Sequence, residues 1–406
     1  MKNSVSRQGM TGKIGFRFFL AAAAISNCGT WIQMMTVQSL LFDLTRSGSW
    51  LGLSTVVTLV PALVLTPFAG VMADRFSRLR ILKITQSVQM LAAFALWILY
   101  ISGNISPLRI IAIGFINGSA SGFQTAAWQS FIPLLVDRED VLYAVRLNTL
   151  QNTVARAAGP TIGAVILRLG GISSGIFING VTFMVVIFAL LVVRPRAGST
   201  SQVGAGVFRG LIDGARYLQS QPALRLGIAI ALVVSSCGQS LQYVTSAIAA
   251  NLYGHNSNGN AGLLAAMGIG AVLSSLLAIV LRERFRRSDQ ILLSMMLYVV
   301  AITAMATTQT YVVGQAAFFL IGVAQLQVAV TLNTLIQGRV PDYLRGRAMS
   351  FYLMGLIGGL AFGSQIIGLA GDTFGYQITL LIDAAVIGAT AVVIITRGLS
   401  KTLDDN

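Results

Sequence analysis

Residues 70–80 combine a glycine, an aspartate and three arginines at a spacing that could join two helix ends reversibly. Asp74 falls where a long apolar run ends, and a carboxylate there can accept hydrogen bonds from the N-terminus of another helix. Gly70 lies one helical turn earlier and would let two helices approach closely. The three bases are Arg75, Arg78 and Arg80. They admit two readings, a part in gating and simple anchoring of a positively charged loop.

A similar segment recurs in the second half of the chain. The letters DRFSR at 74–78 align with ERFRR at 283–287, and at the same offset SNCG at 26–29 aligns with SSCG at 235–238. Two separate segments that share one offset indicate an internal duplication. The second copy of the motif would be Glu283, Arg284 and Arg287, and it lacks the glycine.

A third constellation lies inside an apolar run. Residues 159–163 read Gly-Pro-Thr-Ile-Gly and follow Arg156 by three positions. Pro160 removes a backbone hydrogen bond and bends a helix, and Gly159 and Gly163 would allow tight packing against the other half of the protein. Arg156 is the only base far from the ends of a predicted span, and charges inside the membrane are expensive and usually functional. It could pair with an acid, bind an anionic substrate or lie nearer the cytoplasmic face, and the whole segment could also be a kinked helix without functional meaning.

Two acids lie close to or within apolar runs, and either could change its charge during a transport cycle. Asp43 closes the first run and Asp383 lies inside the last. Each has a second reading, Asp43 as the cap of an external loop and Asp383 as a structural hydrogen-bonding group.

Neutral polar and aromatic side chains are scattered through several of the apolar runs. Amides that face lipid are costly, so these side chains should face a cavity or a neighbouring helix. Tryptophan and methionine suit bulky, partly apolar ligands, and no dense set of charges indicates a small anion. The candidate substrate-cavity residues are Asn27, Trp31, Gln33, Gln124, Trp128, Gln239, Gln242 and Gln325.

The elements that must position these residues follow from composition. The 406 residues are 55% hydrophobic and 10% charged, with a mean hydropathy of +0.77, whereas soluble domains are about 25% charged. About 20 apolar residues span a bilayer as a helix, and the chain holds twelve such runs with little remainder. The predicted spans are 16–42, 51–73, 81–103, 107–135, 141–168, 174–193, 224–250, 260–281, 290–308, 311–336, 346–370 and 376–396.

The net charge of +15 reports topology, not nucleic-acid binding. If both termini are cytoplasmic, nearly all Lys and Arg fall in inside segments, and only Arg46, Arg109 and Arg168 fall outside, as the positive-inside rule requires. No cleavable signal peptide is expected. We predict an N-terminal six-helix bundle over 1–193, a cytoplasmic linker with a short amphipathic helix over 194–223, and a C-terminal six-helix bundle over 224–406.

Several of these segments resemble the major facilitator superfamily. Residues 70–80 resemble its loop between helices 2 and 3, and 159–163 resemble the G-P-x-x-G motif of its proton-coupled antiporters. Segments 41–45, 136–140 and 340–350 look like the branch that contains enterobactin-type siderophore exporters and macrolide-type drug exporters. The chain departs from the superfamily pattern at Ser77 and Leu79, and helix 4 lacks the arginine that many of the antiporters carry.

The resemblance covers nearly the whole chain and implies an all-α polytopic membrane protein, with twelve transmembrane helices in two pseudo-symmetric six-helix bundles. It implies that Asp74 latches the two halves by capping helix 11. It also makes Asp43 the first candidate for proton coupling, because helix 1 lines the cavity in this superfamily.

The expected function is export of a bulky amphipathic small molecule, a siderophore or drug-like compound, across the bacterial inner membrane by alternating access with proton antiport. Expected partners are the substrate, protons and membrane lipid. A gradient-independent facilitator or lysophospholipid flippase, and a non-transporting membrane sensor or scaffold, remain alternatives. With one histidine, two cysteines in apolar runs and no phosphate-cradling Gly-x-x-x-x-Gly-Lys-(Ser/Thr) loop, the sequence predicts no enzyme, cofactor or metal site.

Overall fold

The computed structural model describes the backbone of residues 2–193, 195–196, 216–255 and 259–404, and within these ranges it contains helices and no strand. Most of the predicted linker helix, around residues 207–218, lies outside the described residues. The helices are α1 (Lys2–Thr45), α2 (Gly48–Arg75), α3 (Arg78–Ile101), α4 (Pro107–Phe131), α5 (Val141–Val192), α6 (Pro222–Cys237), α7 (Thr245–Tyr253), α8 (Gly259–Arg284), α9 (Arg287–Thr307), α10 (Tyr311–Arg339), α11 (Asp342–Phe374), α12 (Tyr376–Thr396) and α13 (Leu399–Asp404).

The predicted spans fall on helices, with one exception described below. Within the described part of the chain, nine helical segments are long and apolar enough to cross a membrane, and one of them, 138–192, holds two predicted spans. These two spans are two helices joined directly at Gly171, whose φ of 68° and ψ of −170° are not helical and separate them. Glycine adopts positive φ without a steric penalty, which explains why the junction falls there.

The predicted span 224–250 differs from the structure. Helix α6 ends at Cys237, a 3-10 turn covers Gln239–Tyr243, and α7 begins only at Thr245. No proline lies within this segment after Pro222. The break therefore does not come from a proline; it falls at Gly238, whose backbone packs against an aromatic ring, as described below.

The chain divides into two compact units, residues 1–37 with 60–204 and residues 38–59 with 205–406. The core of the first unit centres on Phe19 of α1. Its ring lies 4.7 Å from that of Trp128 and 5.6 Å from that of Phe131, both on α4. Leu82 of α3 and Leu190 of α5 are fully buried in the same cluster. In a bilayer, where the alternative to this packing is contact with equally apolar lipid, such side chains stabilise the bundle through van der Waals contacts between helices.

The second unit is built around a close approach of α8 and α10. A Cβ atom at Gly322 would lie 2.0 Å from the carbonyl oxygen of Met267, and one at Gly270 would lie 2.1 Å from that of Phe319. Only glycine permits this backbone contact, as in other membrane helix pairs. Tyr298 of α9 is completely buried in this unit.

Large apolar side chains remain exposed on several helices, among them Leu91 (62% exposed), Leu169 (82%), Val312 (67%) and Ile366 (63%). A soluble monomer rarely leaves so many in the open. Helices with all backbone bonds made internally and apolar faces outward are what a bilayer requires.

Candidate functional site

A polar cavity of about 290 Å³ lies within the first unit, between side chains of α1, α3, α4 and α5. Trp128 and Phe183 supply aromatic surface. Most of the polar surface of the cavity comes from seven carboxamide side chains, which we call the amide cluster: Asn27, Gln86, Gln89, Gln124, Gln129, Asn148 and Asn152.

Hydrogen bonds between α1 and α5 hold one side of the amide cluster. Asn27 Nδ2 donates to Gln151 Oε1 at 3.0 Å and to Asn152 Oδ1 at 2.9 Å. Asn148 Oδ1 accepts from Trp128 Nε1 and from Gln151 Nε2, each at 3.2 Å. These bonds fix the direction in which the indole ring and Asn27 face the cavity.

The opposite side of the amide cluster is not satisfied by the protein. The Oε1 atoms of Gln86, Gln89 and Gln124 are buried and have no hydrogen-bond partner. Gln86 is 1% exposed and Gln89 is 7% exposed. Buried polar atoms nearly always have a partner, so unpaired amides around a cavity are suited to a ligand that carries hydroxyl or amide groups.

The cavity carries no charge on the described residues that line it. Arg156, the base that precedes the 159–163 motif, does not line the cavity; its guanidinium carbon lies 5.6 Å from the ring centre of Trp31 in a cation–π contact. Ligand pockets usually measure about 300–1,000 Å³, so this cavity has room for only one portion of a bulky ligand. It fits an uncharged group with hydrogen-bonding capacity.

The glycines of the 159–163 motif pack differently from the prediction. A Cβ at Gly159 would lie 2.5 Å from Cβ of Trp31, and one at Gly163 would lie 3.1 Å from Sδ of Met35. Both contacts are to α1 within the same unit, so the expectation that they pack against the other half is wrong. The motif instead sets the approach of α5 to α1, the two helices that carry Asn27 and Asn152.

The structure places Asn27, Gln124 and Trp128 on the cavity, as the sequence predicts. Gln33 is used differently, because its Oε1 accepts a hydrogen bond from Asn179 Nδ2 at 2.5 Å and so joins α1 to α5. Trp31 stacks with Arg156 outside the cavity lining. Three further candidates lie buried in the second unit: Gln239, Gln242 and Gln325.

Both copies of the gating motif lie at helix ends. Gly70, Asp74 and Arg75 occupy the last turns of α2, and Glu283 and Arg284 end α8, but these five side chains lie outside the described ones. The rest of the motif begins the following helices, with Arg78 and Arg80 in α3 and Arg287 in α9. The gating roles stay predictions.

The two candidate coupling acids have contrasting surroundings. Asp43 is exposed near the end of α1. Asp383 is buried in the middle of α12 and is 7% exposed. Within the residues that the structure describes, no three His, Cys, Asp or Glu side chains come together as a metal site would require.

Sequence reasoning missed Gln86 and Gln89. They are three positions apart on α3 in an otherwise apolar run, and that spacing on one helical face was the available signal.

It also missed Asp372. The carboxylate of Asp372 at the end of α11 accepts hydrogen bonds from Ser47 Oγ (2.6 Å), Gly48 N (2.8 Å) and Ser49 N (2.9 Å), where α2 begins. This is a helix cap supplied by a residue more than 300 positions away, and local sequence does not reveal it.

Comparison with known proteins gives a consistent result. Residues 11–406 match the family model described as transmembrane secretion effector. The staphyloferrin A transporter of Staphylococcus aureus is 22% identical over 362 residues, which cover 88% of this chain and 90% of that protein. The enterobactin exporter EntS of Citrobacter koseri is 23% identical over 380 residues, covering 93% and 89%.

Solved structures with the same fold are also transporters. A variant of the nucleoside transporter NupG superposes with a TM-score of 0.79 at 13% identity and covers 94% of this chain and 99% of that one. A bacterial homologue of the human lysosomal transporter Spinster gives a TM-score of 0.75 at 13% identity, covering 97% and 98%. At this identity the likeness concerns the fold.

Proposed function

The chain belongs to the transmembrane secretion effector family of the major facilitator superfamily, and from this premise we propose that it exports a siderophore or a similarly bulky, drug-like compound. It is a multi-pass membrane protein and a secondary transporter, not an enzyme. We further propose the bacterial inner membrane with both termini cytoplasmic, alternating access and proton antiport.

One observation carries the choice of substrate, the uncharged amide cluster with its unpaired acceptors. Siderophores are bulky molecules whose chelating groups contain hydroxyl and amide groups, and these can donate hydrogen bonds. The unpaired oxygens of Gln86, Gln89 and Gln124 would accept from such groups, and Trp128 would stack on a planar ring. Two relatives that align over most of the chain are named for the transport or export of siderophores, which supports this assignment.

Alternating access is supported by the repeat in the sequence and by the superfamily. Parallel repeats that rock about a central site are how such carriers are built. Residues 38–59 belong by sequence to the predicted first bundle, yet they pack with 205–406. In a rocking transporter such a contact has to form and break once in each cycle.

The experiment compares small molecules in cells and medium, by mass spectrometry, for a deletion strain and a complemented strain under iron limitation. We expect a metal chelator that is retained without the gene and secreted with it. Equal secretion by both strains, with the protein present in the membrane of the complemented one, would contradict siderophore export.

Matched variants connect the result to the cavity. Gln89→Leu removes an unpaired buried amide of the cluster, whereas Thr85→Val removes a hydroxyl of the same helix that bonds only to backbone carbonyls of its own helix, those of Ile81 and Leu82. Secretion should fall with Gln89→Leu and persist with Thr85→Val at equal protein levels. If secretion falls equally in the two variants, the side chain of Gln89 serves the packing of α3 and not the binding of the substrate.

The alternatives give different results in the same strains. Export that survives collapse of the proton gradient indicates a facilitator, and retention of lysophospholipid instead of a chelator indicates a flippase. Binding of a chelator without any flux indicates a sensor or scaffold.

A further inference from the structure

The segment between α6 and α7 interrupts a predicted membrane span close to its middle. Cys237 ends α6, and Gly238 leads into the 3-10 turn. A Cβ at Gly238 would lie 2.6 Å from the ring of Tyr298, so the buried tyrosine of α9 packs directly against the backbone at the break. A stretch of 3-10 helix inside a longer helical segment often marks a functional hinge, and irregular backbone at membrane depth is tolerated where it is buried in protein or lines a cavity.

A buried acid lies opposite this break. Asp383 of α12 is 7% exposed and is hydrogen-bonded to the thiol of Cys237. Its other oxygen, Oδ2, is buried and has no partner. Another polar atom in the same unit, Gln242 Oε1 in the turn, is also buried without a partner.

No described base compensates this carboxyl group. The titratable side chain that contacts it from α6 is Cys237, and α9 brings Tyr298 to the same break. The charged residues of α6, α9, α11 and α13 lie within two turns of a helix end, and α7 has none. An ionised carboxylate with an unpaired oxygen in apolar surroundings is very costly, so the group needs a bound proton or another cation.

We propose that Asp383, with Cys237 as its hydrogen-bonding neighbour, is the site at which the protein binds and releases the transported proton. The break lets α7 move relative to α6, and a movement there would change the contact between Cys237 and Asp383 and admit water to the carboxyl. This proposal rests on the proposed antiport and names its coupling residue. Asp43, which is exposed near a helix end, is the natural comparison.

The test follows the proton itself. The purified full-length protein in lipid vesicles is titrated with alkali while infrared spectroscopy records the carbonyl stretching band of protonated carboxyl groups. We expect a band that disappears as pH rises, that is lost in Asp383→Asn, and that persists in Asp43→Asn. A shift of the titration midpoint in Cys237→Ser, which changes the hydrogen-bonding neighbour without removing the acid, would support the site further.

The proposal is overturned if Asp383→Asn shows the same carbonyl band as the wild-type protein and that band titrates with the same midpoint. If Asp383→Asn does not fold, Asp383→Glu and Cys237→Ser decide, because an unchanged midpoint in both overturns the site. A band that responds to sodium ions at constant pH overturns the proton assignment.

The same vesicles distinguish this proposal from the proposed function. With enterobactin as the probe, Asp383→Asn should retain exchange of substrate across the membrane and lose accumulation driven by a proton gradient. If the vesicles accumulate neither enterobactin nor staphyloferrin A but the infrared band of Asp383 still titrates, siderophore export is contradicted and the proton site is supported.

Discussion

Asp372→Asn tests the cap that α11 supplies to α2. The N–H groups of the first turn of a helix have no partner within the helix, and here those of Gly48 and Ser49 donate to different oxygens of Asp372, Oδ1 and Oδ2. Asparagine has one oxygen and one NH2 group in these positions. Whichever way the amide turns, at least one of the two backbone groups loses its acceptor and the helix end loses a favourable negative charge.

The magnitude follows from these bonds. A hydrogen bond to a charged group contributes about 1.5–3 kcal/mol. Because Asp372 is exposed and water can replace part of the loss, we take the lower end, about 1.5 kcal/mol. That corresponds to a roughly tenfold increase in the population in which the start of α2 is released from α11.

Hydrogen exchange measured by mass spectrometry on the protein in lipid vesicles provides the assay. Peptides covering residues 48–52 should exchange roughly tenfold faster in Asp372→Asn, and peptides of the α8–α10 contact should not change. Asp289→Asn, which removes an acid from the first turn of α9, is the matched control and should leave residues 48–52 unaffected. Unchanged exchange at 48–52, or equal acceleration throughout the protein, would refute the reasoning.

Three further predictions concern close contacts and the gating motif. In Gly52→Ala, a Cβ 2.5 Å from the Cα of Gln365 should force α2 from α11 at a cost of about 1–3 kcal/mol, seen as faster exchange at 48–52. In Gly159→Ala, the contact with Trp31 at 2.5 Å should lower thermal stability by a similar amount, and an unchanged melting temperature would show that α5 adapts freely. Asp74→Asn should reduce transport at normal expression, and normal transport would contradict the latch predicted from the sequence.

The sequence alone determined the order of the membrane-spanning helices and the approximate bounds of most of them. Apolar runs of membrane-spanning length and the distribution of Lys and Arg are local properties, and they do not depend on what each helix touches. The same is true of the family, because the segments at 70–80 and 340–350 are short and contiguous. Asn27, Gln124 and Trp128 were found because polar residues in apolar runs are conspicuous.

Tertiary structure decided which of these polar residues meet. Gln86 and Gln89 became site candidates only when α3 packed beside α4 and α5, and Gln33 became a helix contact only because Asn179 lies opposite. Hydropathy reports that a side chain avoids lipid but not what it faces.

The three features with the largest mechanistic content also depend on partners distant in sequence. The break at Gly238 packs against Tyr298, the cap on Gly48 comes from Asp372, and Asp383 is hydrogen-bonded to Cys237. The free energy of a helix break, a cap or a buried acid depends on the group that packs against it. The tertiary fold determines which group that is, so no local pattern in the sequence predicts it.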